Sequence, residues 1–183
     1  MKIPNSPRLK FSFMTRDDAE QFFELDQDVE VMRFINGGKM TTMDEIHTKS
    51  IPRLESYANR AQGWGIWKVT TLADEANNPS TFIGWILIRP MDFFSDAPQY
   101  NNLEIGWRFK KLAWGKGYAT EAAKSVVDVV SAPDKITIVS AIAIEENFDS
   151  INIMKKLGMT FLKKDIHHDP LGDMEVVFYQ KQV

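Results

Sequence analysis

The sequence predicts an α/β fold of the α+β kind, a mixed sheet of about seven strands flanked by helices. Three observations predict it. Short β-branched and aromatic runs alternate with amphipathic stretches in the order β-α-α-β-β-β-α-β-α-β-β. One strand-length run, Ile136 to Ile144, is apolar almost throughout, as expected of a strand covered on both faces. The 183 residues, 44% hydrophobic and 26% charged, carry no low-complexity linker, which fits one domain spanning residues 1–183.

Each element has a local reason. Leu9-Lys10-Phe11-Ser12-Phe13 alternates and reads as a strand. Thr15 then serves as N-cap to a helix reaching Asp26, with Asp17 and Asp18 in its first turn. Gly37-Gly38 marks a gap before a second helical stretch, Met43 to Ala61, interrupted near Pro52. From Gly63 the period changes. Trp64 to Thr70 and Thr81 to Ile88 read as a hairpin joined by the polar turn Asp74 to Pro79. Leu103 to Phe109 is the next strand.

Gly117 to Val130 carries Ala119, Ala122, Ala123, Val126, Val127 and Val130 on one helical stripe. Its alanines let the helix lie close to the sheet, and Pro133 and Asp134 end it. Asp149 or Ser150 opens a short helix that stops at Gly158. Met159 to Lys164 and Met174 to Lys181 are the last strands.

Composition removes several function classes. A net charge of -3 gives no general attraction to nucleic acid or an anionic membrane. With no cysteine, disulfides, thiolate metal sites and a cysteine nucleophile are excluded. Met1 to Lys10 has no apolar core of a signal peptide, and no apolar run is long enough to span a bilayer. A cytoplasmic location is the expectation.

The segment richest in chemistry is the strand Leu103 to Phe109, the turn Lys110 to Lys116, and the helix after it. Backbone N–H groups at a helix start lack intrahelical partners, and the macrodipole adds positive potential. Gly115 and Gly117 let that backbone approach an anion, with Lys110, Lys111 and Lys116 nearby. The geometry says phosphate. A tight turn with no ligand is the alternative. The Walker pattern is absent, and the dinucleotide fingerprint G-x-G-x-x-G fails at Thr120, which disfavours a dinucleotide-binding domain.

Leu103-Glu104-Ile105-Gly106-Trp107 and Trp114-Gly115-Lys116-Gly117-Tyr118-Ala119-Thr120-Glu121-Ala122 resemble the GNAT acetyltransferases, within them the RimJ/RimL-type branch. Asn147-Phe148-Asp149-Ser150 and Lys156-Leu157-Gly158-Met159 match that branch's second motif. Arg8-Leu9 and Val31 to Ile35 suit its opening. The resemblance implies a mostly antiparallel sheet splayed between its fourth and fifth strands, with acetyl-CoA as cosubstrate. It implies cofactor contacts at Trp107, Arg108, Phe109, Leu112, Trp114, Gly115, Lys116, Gly117, Tyr118, Ala119, Thr120, Asn147, Ser150 and Lys156. Leu112 replaces the Gln or Arg frequent in the superfamily, and Met154 stands where many members carry a proton-donating tyrosine.

Glu104 is the candidate base, or else a solvent-facing strand carboxylate. Ser150 is the candidate proton donor to the thiolate, or else merely the helix cap. The implied acceptor is a primary amine on a protein N-terminus or a small molecule. A non-catalytic acyl-CoA-binding module is the competing class.

No metal is expected: His167-His168-Asp169, with Asp165 and Asp173, has no ligand spacing, and Asp169 to Asp173 reads as a hairpin turn. Trp64, Trp67, Trp85 and Trp107 are expected in the core. Lys49, Arg53 and Arg60 are expected on a solvated face. Met91, Phe93 and Phe94 are expected at a homodimer contact or a pocket lid.

Overall fold

The computed structural model describes residues 1–73, 79–133 and 135–183. The expected turn at 74–78 and the helix stop at Asp134 lie outside the described residues. Strands β1 (Leu9–Phe13), β2 (Gly65–Thr71), β3 (Phe82–Met91), β4 (Gln99–Phe109), β5 (Ile138–Ala143), β6 (Thr160–His167) and β7 (Met174–Gln182) form one sheet. Their order is β1-β2-β3-β4-β5-β7-β6. Every neighbouring pair is antiparallel except β4 and β5, which run parallel. The mostly antiparallel mixed sheet expected from the sequence is the sheet observed.

The parallel pair opens early. Its register holds only for Asn102–Ile138, Leu103–Val139 and Glu104–Ser140. Strand β4 continues to Phe109 and β5 to Ala143, so their facing backbone groups beyond Glu104 and Ser140 are unpaired with each other. This is the expected splay. Gly84, at φ +154°, sits where a Cβ would collide with the Arg108 carbonyl oxygen, so β3 can press close against the end of β4.

Helices cover both faces. Helix α5 (Tyr118–Val130) presents Ala122, Ala123, Val126, Val127 and Val130 to the sheet, and α6 (Phe148–Lys156) adds Ile151 and Met154 to the same core. On the other face, α1 (Ala19–Asp26) and α4 (Ile51–Tyr57) contribute Phe22, Leu25, Ile51, Leu54 and Tyr57, packed with Ile66 and Trp85. Burying each larger aliphatic side chain contributes about 1.5–3 kcal/mol, so neither face stands without its helices.

Several boundaries differ from expectation. Thr15 caps a 3₁₀ turn, Arg16–Asp18, through a reciprocal box with Asp18, and α1 starts after it. Helix α2 (Val29–Asn36) fills part of the expected gap, capped by Asp28 and ended by left-handed Gly37. The second helical stretch divides into α3 (Met43–Glu45), a π turn (Ile46–Ser50) and α4. Pro52 is the second residue of α4, directly after the π turn. Strand β4 begins at Gln99, earlier than its apolar pattern shows. Its first three residues are exposed, and the buried Asn102 after them is held by hydrogen bonds from its amide to Gln99 (3.1 Å) and from Ser140 to its carbonyl (2.8 Å).

Candidate active site

After β4 the chain makes a 3₁₀ turn (Lys111–Ala113), then a glycine turn into α5. Gly115 and Gly117 adopt φ +72° and +78°, which strains any residue with a side chain. A Cβ at Gly115 would meet no atom within 4 Å, so the space before the loop is open. The N–H groups of Gly117 to Thr120 make no backbone hydrogen bond among the described residues. They point out of the positive end of α5, a setting suited to a diphosphate.

The loop is held from behind. Arg8 donates from Nη1 to the Lys116 carbonyl at 3.0 Å and from Nε to Glu121 Oε2 at 2.7 Å. Glu121 Oε1 accepts from Ser6 Oγ at 2.7 Å and from the Arg8 backbone N–H at 3.0 Å. The guanidinium also lies 4.5 Å over the Tyr118 ring. Burial alone would raise the Glu121 pKa, but the bonds from Ser6 and Arg8 outweigh it and hold the carboxyl below its ordinary value.

A cleft of about 340 Å³ runs from this loop along the open end of β4 to α6. Trp107, Arg108, Phe109, Trp114, Gly115, Gly117, Tyr118, Ala119, Thr120, Asn147, Ser150 and Lys156 line it, facing Arg33, Phe34 and Ile35 of α2. Asn147 caps α6 by accepting the Ser150 N–H at 3.2 Å. The Trp107 indole donates to Ser150 Oγ at 3.2 Å, which leaves the hydroxyl proton free to donate. A second hollow of about 710 Å³ opens beside the cleft and shares Phe34, Ile35, Trp107, Arg108, Asn147 and Ser150 with it.

The family model described as the acetyltransferase (GNAT) domain matches residues 8–160. The chain belongs to the GNAT acetyltransferase family. It is 25% identical over 164 residues to the FsC-acetyl coenzyme A-N(2)-transacetylase of Aspergillus fumigatus, covering 87% of this chain and 65% of that protein. A GNAT-family acetyltransferase from Bacillus anthracis superposes with a TM-score of 0.72 at 23% identity, covering 100% of this chain and 98% of that one. RimL, a ribosomal alpha-N-protein acetyltransferase in complex with coenzyme A, gives a TM-score of 0.72 at 12% identity over 99% and 97% of the two chains.

Within this GNAT domain the expected site residues divide. Most of the expected cofactor residues line the cleft together, but Leu112 and Lys116 do not. Leu112 faces solvent, and Lys116 contributes its carbonyl to Arg8. Ser150 is not the cap of α6; Asn147 holds that position, so the Ser150 hydroxyl is available in the cleft. Met154 is fully buried in the core and lines neither hollow.

Glu104 departs furthest from expectation. It is buried, but it lines neither hollow. Arg89, its cross-strand neighbour, grips both its oxygens at 2.7 and 3.1 Å. Arg53 is not on a solvated face: it is ion-paired with Asp169 and stacks 4.0 Å over Phe94. Phe93 and Phe94 pack edge-on to Tyr57 at 5.9 and 6.3 Å, and Met91 is buried, so these residues are occupied within their own chain. Asp169 to Gly172 closes a tight turn, while the exposed His168 bonds Asp173 at 2.8 Å.

The sequence shows Val31 to Ile35 only as part of the family's opening and does not place α2 as a wall of the cleft. Its signal is a short amphipathic helix whose last apolar residues, Phe34 and Ile35, join no core cluster.

Proposed function

We propose that the chain transfers the acetyl group of acetyl-CoA directly to a primary amine, borne by a small molecule or a protein N-terminus, in a ternary complex. The observation that carries this reading is the unpaired backbone of β4 and β5, which leads from the glycine loop to the second hollow. Acetyl-CoA supplies an activated acyl carbon with a thiolate leaving group.

The chain's residues supply the rest. The N–H groups of Gly117 to Thr120 hold the diphosphate. The free edges of β4 and β5 pair with the pantetheine arm as an added strand would. A β4 backbone N–H between Gly106 and Arg108 donates to the thioester carbonyl oxygen as charge builds there. Ser150 gives its proton to the departing sulfur. In balance, a C–N bond forms, the C–S bond breaks, the amine loses a proton to solvent, the sulfur gains one from Ser150, and Ser150 recovers one from solvent. With no cysteine in the sequence, no enzyme thiol carries the acyl group.

The motif from Trp114 to Ala122 supports placing the chain beside RimL-like members. Thiol release from acetyl-CoA across a panel of amines and N-terminal peptides tests the reading. Turnover with one acceptor class is the expected result; acetyl-CoA binding without turnover on any acceptor would leave a binding module instead.

A further inference from the structure

Resting on the transfer reading, we propose that the acceptor is an α-amine in a molecule that also carries a carboxylate near that amine, and not a polycation. The charge in the larger hollow points there. Its lining holds five cations, Lys39, Lys49, Arg53, Arg89 and Arg108, but three carboxylates, Asp26, Glu45 and Asp169. Each of the three is already engaged: Asp26 by Arg108, Glu45 by Lys49 at 3.0 Å, and Asp169 by Arg53. Arg89 draws its own partner, Glu104, from behind the wall and stands 4.0 Å from Asp169.

Donors, by contrast, are left over. Lys39 makes no ion pair among the described residues. The Arg108 Nε–H and the Trp85 Nε1–H are buried without an acceptor. These two residues are cross-strand neighbours, with the guanidinium 5.0 Å over the indole, and both border the hollow.

Two physical consequences follow. A polyamine or aminosugar entering this hollow loses hydration on several ammonium groups and meets no free carboxylate to replace it. A carboxylate entering it meets the unpaired ammonium of Lys39. Lys39, the cation left unpaired, also favours the neutral form of an amine placed beside it. The α-amine of a chain terminus, ordinarily near pKa 8, is then largely neutral at mildly alkaline pH, whereas an alkyl amine near 10.4 needs a base. Leu87, Ile142 and Val176 form an apolar wall that suits an aliphatic side chain on the acceptor.

Thiol release measured at equal concentrations of leucine, an acidic pentapeptide with N-terminal leucine, leucinamide, 3-methylbutylamine and spermidine tests this. The expected result is a kcat/KM for leucine or the acidic peptide at least about tenfold above those of leucinamide and spermidine. Whichever of the two leads identifies the source as a free amino acid or a chain terminus. Lys39→Glu removes about tenfold of that preference while the acetyl-CoA Kd stays unchanged. Preference for spermidine or 3-methylbutylamine, or no effect of Lys39→Glu, would overturn the inference and leave acetyl transfer standing. Failure to bind acetyl-CoA, or no thiol release with any acceptor, would remove both.

Discussion

Ser150 sits at the junction of the two hollows, with its oxygen already satisfied by Trp107 and its backbone by Asn147. That arrangement fixes the hydroxyl and leaves its proton for the cleft. Ser150→Ala is expected to lower kcat by about 10²-fold with little change in the KM for acetyl-CoA, because the loss falls on proton transfer. Steady-state kinetics with acetyl-CoA varied separate the two parameters. Glu104 calls for the opposite signature. Removing one member of a buried ion pair leaves a bare charge and costs about 3–5 kcal/mol. Glu104→Gln should therefore melt at a lower temperature while keeping turnover within about tenfold below that temperature, since Glu104 lines neither hollow and Arg89 holds both its oxygens. A loss of about 10²–10⁴ in kcat with an unchanged melting temperature would instead make Glu104 the base. In the sequence Glu104 is an acid in an apolar strand, a pattern shared by catalytic carboxylates and by paired ones. Arg89 lies fifteen positions earlier, on the neighbouring strand, and only the register joins them.

Among the elements, the β4–loop–α5 unit matters most, and the Arg8–Glu121 clasp sets its shape. Glu121 lies one turn into α5, and Arg8 precedes β1. Their bonds tie the first strand to the Lys116 carbonyl and thereby hold the N–H groups of the loop in place. Because the Glu121 pKa is lowered in the folded protein, the clasp contributes fully above the ordinary value of 4.5 and is lost as pH falls through the depressed folded value. Thermal melts of Glu121→Gln should accordingly show a shallower decline on the acid side than the parent, together with weaker acetyl-CoA binding near neutrality. Equal acid-side slopes in the two proteins would contradict the clasp.

The same unit was legible in the sequence because its signals are local: an apolar strand, two glycines and an alanine-valine stripe. The polar start of β4 and the π turn before Pro52 were not, because hydrogen bonds to distant partners, or a break in helical pitch, decide them. Helix α2 was half visible. Its apolar residues could be read, but their place opposite α5 and α6 is set by the sheet.

At the scale of the whole molecule, the chain builds a sheet that fails to close between two parallel strands and covers both faces with helices. The cleft beside the glycine loop and the second hollow both lie along that opening. Sequence motifs pointed to most of the cleft because one continuous segment supplies its floor. The second hollow gathers residues from α1 through β7, and no spacing rule links Lys39, Arg53, Trp85 and Asp169. Its charge balance therefore became readable only in three dimensions.

The central claim, that the glycine loop holds the diphosphate of acetyl-CoA, is tested most directly by calorimetric titration. Acetyl-CoA would be added to the parent protein and to Gly117→Val, with circular dichroism confirming that both are folded. A valine at the left-handed position strains the loop, and its Cβ would stand 3.5 Å from the Arg8 guanidinium that holds the loop from behind. The account predicts saturable binding by the parent and weakening of at least about tenfold in the variant. No binding by the parent, or equal binding by both, would contradict it.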